Sequence, residues 1–133
     1  MKFYAVIFWS IISPQSLFCA WKVFRAEKRN KDDVAEFERH LEYNIFQLYR
    51  DLRNGSYLHG PHEGFWKHDP KRRRIHKATV RDRVLHHALF RTLNPIFEPT
   101  FIPTSFSCRV GKGTHRGVDF LARAIRAVSR NYT

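Results

Sequence analysis

"DPKRRRIHKATVRDRVLHHALFRTL", residues 69–93, changes its hydrophobic period halfway along. Up to Lys77 the side chains alternate as on a strand. If Arg72 and Arg74 face one side, Lys71, Arg73 and Ile75 face the other. After Thr79 the apolar residues Val80, Val84 and Ala88, with Leu85, Leu89 and Leu93, recur at helical spacing. Thr79 is a suitable N-cap, and Asp82 favours the positive end of that helix. A short strand therefore runs straight into a long helix, and seven Lys or Arg residues lie between Lys71 and Arg83.

Upstream, Ser56–Lys77 is punctuated by Gly60, Pro61, Gly64 and Pro70, which predicts two or three short strands or hairpins around Tyr57, Phe65, Trp66 and Ile75. Before that, residues 32–55 read as one helix with a stripe of Val34, Phe37, Leu41, Ile45, Leu48 and Leu52. Asp33 and Glu36 make its cap pair, and Gly55 its stop. Downstream, Pro95, Pro99 and Pro103 end regular structure for about ten residues. A last helix starts near Thr114, with Val118, Leu121, Ile125 and Val128 as its stripe. The expected fold is α+β: mostly helical, with a small β hairpin.

The chain has 133 residues, one domain's worth. Its composition is globular, and 24 Lys and Arg against 12 Asp and Glu give a net charge of +12. That is the electrostatic footprint of a nucleic-acid binder, although a membrane-surface protein can be equally basic. Cys19 and Cys108 are too few and too far apart for a disulfide framework, which points to a reducing, cytoplasmic setting. "MKFYAVIFWSII" at the N-terminus is shorter than the roughly 20 apolar residues that span a bilayer, so no membrane partner is expected. A cleaved leader is the rival reading. The apolar pattern continues past Pro14 through Leu17, Phe18, Trp21 and Phe24, which favours a packed helical pair.

"SFSCRVGKGTHRG", residues 105–117, invites comparison with the phosphate loop of nucleotide hydrolases. That pattern needs a Gly separated by four residues from the Gly-Lys pair, and a hydroxyl directly after the Lys. Phe106 and Gly113 occupy those positions, which excludes it. His59, His62 and His68 cluster without Cys or carboxylate partners at structural-zinc spacing, and the adjacent His86 and His87 diverge on a helix. No metal site is expected. The Cys108 thiol beside Arg109 reads as a bystander, and Asp32 and Asp33 as capping residues. The basic run itself has two readings, a solvated face or a phosphate-binding finger that uses the arginine forks.

Taken in order, several blocks resemble the N-terminal fingers region of bacterial reverse transcriptases of the group II intron, retron and diversity-generating type. They are the basic hairpin, the Arg81-Asp82-Arg83 helix opening, Leu93 with Pro95 to Glu98, and Ser105 to His115. The likeness covers about residues 69–133 well and the upstream helix acceptably. It implies the fingers subdomain of a right-hand polymerase without the palm, with residues 1–55 as an N-terminal helical region and 56–133 as the fingers region. By carry-over, Lys71 and Arg73 match positions that contact the incoming dNTP's triphosphate. Arg72, Arg74, Lys77, Arg81, Arg83, Arg109, Lys112, Gly113 and Thr114 are the implied nucleic-acid-binding residues, with Arg83 free to pair internally with Asp82. The partners implied are an RNA template, a DNA primer, dNTP and the missing palm and thumb, as a downstream polypeptide. The complete enzyme implies Mg2+ held by palm aspartates. None of those motifs occurs here, so no catalytic residue is assigned to this chain, which alone is expected to bind without polymerising. The alternative is a non-catalytic RNA-binding module.

Overall fold

The computed structural model describes residues 2–26, 28–107 and 109–129, with side chains from Val6 onward. The chain forms two compact units, Met1–Pro95 and Ile96–Thr133. This division follows packing, whereas the division at residue 55 follows the resemblance. The architecture is α+β, mostly helical with one two-stranded antiparallel sheet.

In the first unit, α1 (Lys2–Ile12) and α2 (Pro14–Arg25) are separated at Ser13, where the axis bends by 55°. Ser13 caps α2 by accepting from the Ser16 amide at 3.2 Å, and Pro14 sits at the first helical position, where its missing N–H costs nothing. The two helices pack together, and Ile11, Ile12, Leu17, Ala20, Trp21 and Phe24 are all in the core. No single helix among the described residues is long and apolar enough to cross a membrane.

The helix expected over residues 32–54 is two helices, α3 (Asp32–Arg39) and α4 (Leu41–Asn54). His40 leaves helical geometry at φ −121° and ψ 36°. The Phe37 carbonyl, which a continuous helix pairs with the Leu41 amide, accepts Asn44 Nδ2 at 3.0 Å instead. The apolar stripe survives the break: Val34, Ile45 and Leu48 are fully buried, and Phe37, Leu41 and Leu52 pack against them. The Asp33–Glu36 cap pair is not formed. Lys31 occupies the N-cap without a side-chain bond, and Glu36 pairs with Arg39 at 2.7 Å. Gly55 does end α4, at φ 70°.

One hairpin follows, β1 (Glu63–His68) with β2 (Arg72–Lys77), paired from Glu63↔Lys77 to His68↔Arg72. Tyr57 lies in the loop before it. Helix α5 (Val80–Phe97) buries Val80, Val84, Leu85 and Ala88 against the core. It runs through Pro95 rather than stopping there. The proline sits in the last turn, where its fixed φ suits the helix and only one ladder bond is missing.

In the second unit, a 3-10 turn (Glu98–Thr100) and an irregular loop lead to α6 (Thr114–Val128). Phe106 packs on Phe120 at 5.6 Å, and a Cβ on Gly117 would stand 3.4 Å from the Phe106 ring. The stripe of Val118, Leu121, Ile125 and Val128 is exposed.

Candidate nucleic-acid interface

The β pairing sorts the cations of the hairpin onto two faces. Arg74 stands opposite Trp66, and Arg73 stands opposite Lys67. With strict alternation, Gly64, Trp66, His68, Arg72, Arg74 and His76 share one face. Phe65, Lys67, Arg73, Ile75 and Lys77 share the other, where Ile75 is half-buried. Lys71, Arg72, Arg73 and Arg74 are all exposed. Among the described residues, the side chains of Lys71, Arg73 and Arg74 have neither an ion pair nor a hydrogen bond, and the Arg72 side chain meets the Trp66 ring at 4.1 Å. Nearby, Lys67 and Asp69 form an exposed ion pair at 3.6 Å.

The remaining cations of the basic run face inward. Lys77 binds Asp33 at 3.0 Å and Glu63 at 3.1 Å, and these two bonds raise its pKa. Arg83 pairs with the same Asp33 and lies over the Phe24 ring at 5.0 Å. Its partner is therefore Asp33 on α3, and not its neighbour Asp82. Arg81 pairs with Asp51 on α4 and covers the Tyr57 ring at 5.1 Å. Asp33, expected as a cap, is the acceptor that ties α3 to the hairpin root and to α5. Burial pushes its carboxyl up, but the bonds from Lys77 and Arg83 outweigh that and hold it below the usual range.

Asp82 organises the approach to the hairpin. It is fully buried and accepts the Tyr57 hydroxyl at 2.6 Å, the Thr79 hydroxyl, and the Gly60 amide at 3.1 Å. Burial raises its pKa, and these three donors more than reverse the effect. Burial and Asp82 together push the Tyr57 phenol up to about 12. Gly60 is required by space: a Cβ there would meet Thr79 Cγ2 at 2.6 Å. From sequence, Asp82 reads as a helix-dipole residue and a candidate partner of Arg83. Nothing local announces a buried carboxylate two of whose donors lie 22 and 25 residues away.

In the second unit, Arg109 is turned into its own loop. Its guanidinium donates to Glu98 Oε1 at 2.9 and 2.6 Å, and to the carbonyls of Glu98, Ile102 and Ser105. All five of its N–H donors are thus engaged within the loop. Arg109 in turn holds the Glu98 carboxyl below its ordinary range. Lys112 donates to the Pro103 carbonyl at 2.9 Å, and Gly113 takes φ 131° immediately before Thr114 opens α6. Cys108 lies outside the described residues.

The histidines form a stack and not a ligand set. His59 lies 4.9 Å from His62 and 5.6 Å from His86, while His87 diverges to pack edge-on against Phe24. Among the described residues no group of three or more His, Cys, Asp or Glu could hold a metal ion. Of the residues named from sequence, the hairpin gathers Lys71, Arg72, Arg73 and Arg74. Lys77, Arg81, Arg83 and Arg109 are held in internal ion pairs. No protein-family model and no curated protein matches the chain.

Proposed function

We propose that the chain is the fingers part of an RNA-directed DNA polymerase, with hairpin β1–β2 as its phosphate-holding element. One contrast carries the reading: four consecutive cations, Lys71 to Arg74, stand exposed on the hairpin without a carboxylate partner, while Lys77, Arg81, Arg83 and Arg109 all have one. Four adjacent like charges repel one another, and an anionic ligand relieves that cost. Lys71 and Arg73 take the triphosphate of the incoming dNTP. Arg72 and Arg74, on the opposite face, take the backbone of the RNA template and DNA primer. These groups bind and orient, and the Mg2+-holding aspartates of nucleotidyl transfer come from a palm outside these 133 residues.

A non-catalytic RNA-binding module is the second reading. It is favoured by the exposed Phe65 and Trp66 beside the same cations. Primer extension on an RNA template, with the chain alone and with the polypeptide encoded directly downstream, separates the two. Extension only in the mixture, with a dNTP KM raised about tenfold or more by Lys71→Ala with Arg73→Ala and a smaller change in template affinity, supports the polymerase. RNA binding without extension in either tube supports the module.

A further inference from the structure

The structure assigns the Trp66–Arg72–Arg74 face of the hairpin a second task, stacking an unpaired base of single-stranded RNA. This rests on nucleic-acid binding by the hairpin and goes beyond the phosphate contacts proposed above. The Arg72 guanidinium lies 4.1 Å from the centre of the Trp66 ring, yet Trp66 remains 53% exposed. Arg74 stands directly across the ladder from Trp66. It lies along Gly64, where a Cβ would come within 3.2 Å of its Nε. One indole thus carries the Arg72 guanidinium on its ring and shares its face of the hairpin with Arg74, His68 and His76.

Stability does not account for this arrangement. An exposed cation–π pair contributes only about 0.5–1 kcal/mol, and every residue of β1 is exposed. A flat aromatic ring between phosphate-binding cations is the combination that holds single strands, because every base has a π-face and every nucleotide a phosphate. A duplex offers no free base face to the indole, so the site takes single-stranded RNA.

The test is fluorescence anisotropy with a labelled oligouridine and an abasic strand of equal length, on the whole chain, for wild type, Trp66→Ala and Trp66→Phe. One stacked base is worth about 1–3 kcal/mol, so Trp66→Ala is expected to weaken oligouridine binding roughly five- to 150-fold, at about 1.4 kcal/mol per decade. Trp66→Phe keeps most of the affinity, and the abasic strand binds wild type and Trp66→Ala alike. Quenching of indole emission by oligouridine, present in wild type and lost in Trp66→Phe, gives the same answer without altering the fold. Equal weakening of both strands, or an unchanged oligouridine affinity, overturns the stacking site while leaving the phosphate reading intact. No binding of either strand by wild type overturns both.

Discussion

The Tyr57 hydroxyl donates to Asp82 across 2.6 Å, joining the loop after α4 to the first turn of α5. That bond fixes the chain just before the hairpin. Tyr57→Phe removes the donor and leaves a buried carboxylate with one partner fewer, so it is expected to destabilise the first unit by about 1–3 kcal/mol in chemical denaturation. The same bond has a pH signature. The phenol titrates near 10 when unfolded and at about 12 when folded, so its contribution is whole below pH 10 and fades as pH rises toward 12. Melts between pH 9 and 12 should show a steeper fall for wild type than for Tyr57→Phe. Parallel curves would show that the bond does not persist in solution.

At the acid end, Asp82 and Asp33 both titrate below the ordinary carboxylate value. Their contribution is complete above about pH 4 and fades as pH falls through the lowered folded values. Asp82→Asn should be less stable at pH 7 and show a shallower loss between pH 5 and 2 than wild type, by circular dichroism.

Gly60→Ala tests the packing of the same corner. The new methyl would stand 2.6 Å from Thr79 Cγ2, a side-chain carbon fixed beside the α5 start. The expected cost is about 1–3 kcal/mol. Gly64→Ala is the comparison: its nearest neighbour, at 3.2 Å, is the long and flexible Arg74 side chain, and its cost should be much smaller. Equal melting temperatures for the two variants would contradict the described corner.

The arginines of the basic run should separate by role. Arg83→Ala breaks an ion pair to Asp33 and uncovers Phe24, so it should lower the melting temperature while changing RNA affinity little. Arg74→Ala, on the template face, touches no internal ion-pair partner and should do the reverse. Measuring both quantities on both variants checks the assignment.

Much of this fold was legible in residues 69–93, because the change from alternation to helical spacing is local. The hairpin faces, the α5 stripe, the Gly55 stop and the α6 start all follow from spacing and turn chemistry. The allocation of charge was not legible. Arg81, Arg83 and the exposed Arg73 look alike in sequence, and only the tertiary positions of Asp51 and Asp33 distinguish them. At the break after α3 the Phe37 carbonyl takes a side-chain bond from Asn44, which no periodicity records. The resemblance implies Arg109 as a nucleic-acid contact, but Glu98, 11 residues earlier, holds it in the loop.

The most direct test is the salt dependence of single-stranded RNA binding, for wild type and for a variant with Lys71, Arg72, Arg73 and Arg74 all changed to Ala. Each phosphate contact on a single strand contributes about −0.7 to the slope of log K against log salt. The account predicts a steep wild-type slope that flattens by about 1.4 in the variant, the Arg72 and Arg74 contacts at about 0.7 each, with the melting temperature preserved. A wild-type slope near zero, or one unchanged by removing the four cations, would contradict it.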